Sequence, residues 1–279
     1  MVGREVLLLG VVFGVLLGLA VVYTYTPSAD FSVLSAGPNG LSKLTSTYSS
    51  SVALGTSYLA KLEPGSYAYL VVRGSEVSYG EVATIAGFLA GGGVVIASGT
   101  PAFLNSLLKQ LNVSVEVGEA VVYDSIRSYG SRFYPVGYSP TCNTSLVTYL
   151  PRYVASYRGA EVLAYSSEFS YADLDGDGYA DLDEPEGIFP LVLAVSVGRG
   201  RLIVVTSPYV FTNALLDSNL QFLNCLTSGR RLVVDQVEVG RDPLQYVRLA
   251  VATGATSEYL VLALVAVAGL VAYSVLREW

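Results

Sequence analysis

The segment that decides the fold is Tyr67-Ala68-Tyr69-Leu70-Val71-Val72, closed by Arg73-Gly74-Ser75 and followed, one helix later, by Gly91-Gly92-Gly93-Val94-Val95-Ile96-Ala97. Six apolar residues in a row, bounded by turn residues, match a short strand buried on both faces. Ser78 opens the intervening helix. With Glu81 three residues on it forms a capping box, which predicts a helix through Leu89 that the three glycines stop. Val94 to Ala97 is the next buried strand, and Ser98-Gly99-Thr100-Pro101 turns into a second helix from Ala102 to Leu111. Strand, helix, strand, helix at this spacing demands parallel neighbours, because each helix must carry the chain back across a face of the sheet.

Further along, Leu191–Val197 and Leu202–Thr206 are β-rich runs joined by Gly198-Arg199-Gly200-Arg201, a hairpin by composition. Asn213 to Leu226 reads as a helix, and Leu232 to Val239 alternates like a half-buried strand. Tyr123 to Pro151, rich in Tyr, Ser, Gly and Pro, reads as an irregular surface excursion, and no internal repeat is present. One α/β domain with a mixed sheet is therefore expected over residues 26–240, with a connector over 241–258.

The chain has 279 residues, 52% of them apolar and 14% charged, and the apolar excess sits at its two ends. Val6–Val22 and Leu260–Leu276 carry no charge and are flanked by Tyr23, Tyr25, Tyr259 and Trp279. At ~1.5 Å per residue each run covers roughly 25 Å of a ~30 Å hydrocarbon layer, and the aromatics suit its interfaces. The expectation is a transmembrane helix in each terminal segment, 1–25 and 259–279. That makes a two-pass cell-membrane protein with its main domain extracytoplasmic; a cleaved signal peptide is the alternative for the first run. Cys142 and Cys225 are the only cysteines and both lie in the middle, as an oxidised pair would. Asn112-Val113-Ser114 and Asn143-Thr144-Ser145 make Asn112 and Asn143 glycosylation candidates.

The sharpest motif is Asp173-Leu174-Asp175-Gly176-Asp177-Gly178-Tyr179-Ala180-Asp181-Leu182-Asp183-Glu184. Carboxylates at positions one, three, five, nine and twelve, with glycine at six, match the twelve-position Ca²⁺ loop. The implied ligands are Asp173, Asp175, Asp177, the carbonyl of Tyr179, Asp181 and Glu184. Pro185 follows at once and blocks the exiting helix of a helix–loop–helix sensor, so a fixed brace is expected. Nine acids and no Lys or Arg lie between Gly159 and Gly198, outnumbering the whole chain's net charge of −7. The acidity is thus one site, and the chain shows no basic footprint for nucleic acid.

Gly37-Pro38-Asn39-Gly40-Leu41-Ser42 after a first strand, the Gly91–Gly93 helix stop and Ser166-Ser167 before the aspartate loop resemble the archaeal "domain of unknown function 4350" proteins, as do Gly198–Arg201 leading into Leu202–Val205 and Ser207-Pro208-Tyr209-Val210-Phe211-Thr212-Asn213. That group is similar to class I glutamine-amidotransferase-like domains and to auxiliary domains of gliding-motility ABC transporters. The resemblance covers about Phe31 to Leu226. It implies a flavodoxin-like mixed sheet with helices on both faces, a surface role, and a protein partner such as a transporter permease or surface component.

The chain contains no histidine, which removes the commonest general base and any Ser-His or Cys-His pair. A non-catalytic binding or assembly domain is the leading expectation. Its candidate ligand edge is Asn39, Ser75, Ser98, Thr100 and Ser207, at the carboxyl ends of the strands. The alternative is a serine-dependent extracytoplasmic hydrolase using Ser98, Thr100 or Ser207 with Glu76 or Glu81. Gly37 to Ser42 is read first as a plain turn and second as an anion-holding helix start.

Overall fold

A computed structural model describes residues 29–252 apart from Ser49, together with the isolated positions Gly10, Phe13, Gly14 and Gly18. Helix α1 (Ser42–Tyr48) and the short strand β1 (Ser51–Ala53) lead through two 3-10 segments into β2 (Tyr67–Arg73). α2 (Tyr79–Ala90), β3 (Val94–Gly99) and α3 (Pro101–Gln110) follow, where the sequence places them. The capping box is present: the Ser78 side chain accepts from the Glu81 N–H, and the Glu81 side chain accepts from the Ser78 N–H.

Next comes a run of strands: β4 (Val115–Asp124), β5 (Val136–Ser139), β6 (Thr144–Val147), β7 (Arg152–Tyr157), β8 (Glu161–Tyr165) and β9 (Ser170–Asp173). The expected hairpin is β10 (Pro190–Val197) with β11 (Gly200–Val205), and α4 (Leu216–Thr227) and β12 (Arg231–Asp235) close the series. Ala29–Glu238 forms one compact unit; the other unit contains a 3-10 turn, Val239–Arg241, and helix α5 (Pro243–Ala252).

Nine strands form one mixed sheet in the order β1-β12-β2-β3-β11-β10-β8-β5-β6. The first five are parallel and the rest antiparallel. The parallel strands are buried on both faces, as the unbroken apolar runs require. Tyr69, Val71, Val95, Ala97, Leu202 and Val204 pack with residues of α2 and α3 in one cluster. The alternate residues Leu70, Ile96 and Val205 point the other way and are also buried, on the side where α1 packs on β12 and α4 on β6. A second antiparallel sheet, β7-β4-β9, carries the aspartate loop at the end of β9.

Several expectations need correction. Tyr123–Pro151 is no irregular excursion: β5 and β6 lie within it and extend the large sheet, their half-exposed Tyr- and Ser-rich faces masking the strand pattern. The strand expected to Val239 stops at Asp235, whose carboxylate accepts from the Val237 N–H and turns the chain. Among the described residues, 29–36 ahead of Gly37 form turns, with Phe31 at φ 59°, and no strand. The parallel order is not flavodoxin-like either, because the last strand, β12, is inserted between the first two, β1 and β2. That insertion brings the two ends of the unit together: Gln236 accepts from the Val33 N–H at 2.9 Å and donates to the Phe31 carbonyl at 2.8 Å.

The flanking transmembrane helices and the two-pass membrane placement are overturned: among the described residues no helix is long and apolar enough to cross a membrane. The longest described helices have 12 residues, about 18 Å at ~1.5 Å per residue, against a ~30 Å layer. The two runs on which the expectation rested, Val6–Val22 and Leu260–Leu276, lie outside the described residues, save for Gly10, Phe13, Gly14 and Gly18.

Cys142 and Cys225 form a disulfide, with Cα atoms 5.8 Å apart, that joins the β5–β6 turn to α4. It links residues 83 apart in sequence, and closing a loop of that size in the unfolded chain is worth about 3–5 kcal/mol. Cys142→Ser/Cys225→Ser should lower the denaturation free energy by about that amount, read by urea unfolding of the oxidised protein and the variant. Coincident curves would show that the crosslink adds nothing.

Candidate metal centre and the carboxyl edge of the sheet

The aspartate loop is positioned by a buried carboxylate one strand away. Asp124, at the end of β4, accepts from the backbone N–H groups of Ile126 and Arg127 and from the hydroxyls of Ser167 and Ser170. These bonds hold the start of β9, which pairs with β4 from Ser170 to Asp173, so that Asp173 leaves the sheet in a fixed direction. Asp173 is buried, while Asp175 and Asp177 are exposed. Gly176 and Gly178 take φ of 85° and 80°, which side chains with a Cβ rarely adopt, and these two positions let the chain wrap inward.

Carboxylate oxygens of Asp173, Asp175 and Asp177 lie within 4.8 Å of one another. The loop folds on itself through its own carboxylates. Asp173 accepts from the N–H groups of Gly176 and Gly178, and Asp177 accepts from Tyr179. Glu184 turns back across the loop to accept from Leu174 at 2.5 Å and from Asp181 at 3.3 Å. Asp181 itself stands outside the three-carboxylate group. Desolvation, then the charges of Asp177, Asp175, Glu184 and Asp183, push its carboxyl above the usual aspartate range. An all-oxygen donor set of this kind suits a hard cation. No helix follows Pro185, and Arg132 lies 5.1 Å from the Tyr179 ring, bracing the loop from outside.

The expected ligand edge is organised differently. Ser98 is fully buried and donates to the Val205 carbonyl. Thr100 caps α3, accepting from Phe103 and donating to the Gly74 carbonyl. Ser207 donates to the Tyr149 carbonyl and accepts from its N–H. Ser75 donates its N–H to Glu238, and Asn39 reaches Asp30, away from the others. These residues hold loops in place; they do not converge. The Gly37–Ser42 turn is likewise structural, since the Asn213 side chain donates to the Ser35 and Gly37 carbonyls and accepts from the Lys43 N–H. Asn112 and Asn143 are both exposed, at φ of 56° and 47°.

What the sequence did not reveal at this edge is a buried ionic network. Arg73 ends β2 and Asp235 ends β12, and the two meet through paired bonds of 3.0 and 2.7 Å. Glu81 binds the same guanidinium at 2.5 Å, and the Tyr69 hydroxyl donates to Asp235. Burial and then the Asp235 charge push the Tyr69 phenol well above its ordinary range, which keeps it a donor. The only signal was a charged residue closing each apolar run. That Arg73 and Asp235 face each other across 162 residues could not be read locally.

The family described as Domain of unknown function (DUF4350) matches residues 33–226. The chain belongs to the DUF4350 family. The matched region includes every strand except β12, and the aspartate loop. No curated protein sequence matches the chain. Among solved structures, the mmIFT52 N-terminal domain is similar at 12% identity and TM-score 0.46, over 61% of this chain and 77% of that one. A ThuA-like protein from Bacteroides uniformis is similar at 14% identity and TM-score 0.34, over 62% and 75%. A β-galactosidase from Bacillus circulans sp. alkalophilus gives 14% and 0.35, over 57% of this chain and 23% of that one. Likenesses this distant carry no argument about this chain.

The network makes two predictions. Asp235→Ala strands a buried guanidinium and should cost about 3–5 kcal/mol, while Arg73→Met/Asp235→Leu should cost less than the two single changes summed. Glu81 is held below the usual glutamate range: burial pushes it up, but the Ser78 hydroxyl and N–H and then Arg73 outweigh that. A lowered folded value contributes stability that is complete above the unfolded value of ~4.3 and is lost as pH falls through the folded value. The stability gap between wild type and Glu81→Gln should thus be flat above about pH 5 and close below it. A gap unchanged down to about pH 2 would remove the ionic explanation.

Proposed function

We propose that this DUF4350 protein is a non-catalytic, calcium-stabilised binding or assembly domain. The observation that carries the reading is the convergence of Asp173, Asp175 and Asp177 oxygens within 4.8 Å in a loop that Glu184 closes. Ca²⁺ would be held by these carboxylates with Asp181, Glu184 and the Tyr179 carbonyl. Several like charges in one short loop repel each other, and a dication relieves that repulsion. Leu174, Tyr179 and Leu182 stand exposed on the same loop, so a cation that orders it would present apolar contacts to a protein partner.

The disulfide supports an oxidising compartment, where calcium is plentiful. A relationship to amidotransferase-like and transporter auxiliary domains would fit the same reading, a domain that docks on another protein. The serine-hydrolase alternative has less support: Ser98, Thr100 and Ser207 are engaged with backbone carbonyls, and Glu81 with Arg73 and Ser78.

Melting curves in chelator and in millimolar calcium test the reading. Calcium should raise the melting temperature in a concentration-dependent way, and magnesium should do so less. Asp175→Ala should abolish most of the shift while leaving the calcium-free midpoint nearly unchanged. Coincident curves for the wild type would reduce the loop to a solvated turn.

A further inference from the structure

The amino ends of four adjacent parallel strands carry a second feature, unrelated to the calcium loop. β12, β2, β3 and β11 are neighbours in that order, and their first residues are Arg231, Tyr67, Val94 and Gly200. At ~4.8 Å between strands this edge is about 15 Å wide. A cavity of about 380 Å³ opens at its β3–β11 end, and a shallower one of about 600 Å³ at its β12–β2 end. Both volumes lie in the usual range for ligand sites, about 300–1,000 Å³. Arg230 and Ser228 line both cavities, which therefore lie side by side.

Arg199, Arg201 and Arg230 line the first cavity without an acid, and Lys61, Arg230 and Arg231 line the second with only Glu63. Five of the chain's 16 basic residues thus gather on one edge of a protein whose net charge is −7. They are lightly committed. Arg199 donates its Nε to the Ala90 carbonyl, and Arg231 makes a long bond to the Tyr67 hydroxyl. Arg201 pairs with Glu161 at an exposed position, where ion pairs are weak. The Arg230 Nε is buried and has no hydrogen-bond partner among the described residues. A buried donor without an acceptor is costly, and the Arg230 side chain, which lines both cavities, is placed to meet an oxyanion there.

The opposite edge differs in kind: there Arg73 is sealed in and neutralised by Asp235 and Glu81. We propose that the amino edge binds a small polyanion whose tetrahedral oxyanion groups, phosphate or sulfate, occupy the two cavities, with Arg230 shared between them. Guanidinium forks match such groups geometrically, and a linked pair of anions gains from the second cavity without further ordering. The disulfide fixes one wall, since Cys142 and Cys225 both line the first cavity.

Calorimetric titration of the intact chain in metal-depleted buffer tests this with tripolyphosphate, a trisulfated disaccharide and orthophosphate. At least one linked probe should bind ~10-fold or more tighter than orthophosphate and weaken as salt is raised. The tighter linked probe identifies the source of the anion. Arg230→Gln should weaken it ~10-fold, and Arg199→Gln, at an exposed position, should weaken it several-fold. Lys109→Gln, on exposed α3 surface, should change it less than about 2-fold. No gain on linking the anions, or an equal loss in Lys109→Gln, would overturn the proposal by reducing it to diffuse charge.

Discussion

A guanidinium leaves water at great cost unless its counter-charges leave with it, and Arg73 meets that condition only when three chain segments arrive together. β2 supplies the guanidinium, β12 supplies Asp235 and the phenol-bonded carboxylate geometry, and the first turn of α2 supplies Glu81. The pairing of the last parallel strand with β2 is what brings Asp235 beside Arg73, and the apolar residues on both strands then pack against helices on either face.

How far the sequence could be read depended on whether the deciding partner was local. Ser78 and Glu81 are three residues apart, so the helix they open follows from the local pattern alone. The runs at Tyr67 and Val94 are equally plain, because a strand buried on both faces must be apolar throughout. β5 and β6 were missed because they are stabilised by neighbours across the sheet, and their own composition resembles a loop. In the aspartate loop the closeness of Asp173, Asp175 and Asp177 is a matter of nearby residues and glycine turns, which local spacing can convey. The Arg73 network and the Asn213 clasp on the Ser35–Lys43 turn depend on contacts across more than 150 residues, and no local pattern encodes those. Ser98, Thr100 and Ser207 drew attention because they follow strands, yet hydroxyls there also serve turns and caps, and that is their use here.

Charge is divided unequally over the molecule. Acids crowd one loop at the end of β9, basic residues line the amino edge of the parallel strands, and the carboxyl edge balances its own charges internally. In open α/β sheets the carboxyl edge is the usual place for a ligand. Here that edge holds the sheet together, and the groups with unspent capacity to bind lie elsewhere.

The side chain of Gln236 touches the backbone at Phe31 and Val33, and its own N–H reaches Ala53. The polypeptide therefore enters and leaves this unit through a single doorway beside the β1–β12 pair. A domain built in that way can sit within a longer chain as a side-loop: the host's backbone need not be spread apart to admit it, and removing it would leave ends close enough to rejoin. Tension applied through the flanking segments would likewise bear on that doorway first, where β1 is only three residues long, and would reach the bulk of the sheet only after it had given way.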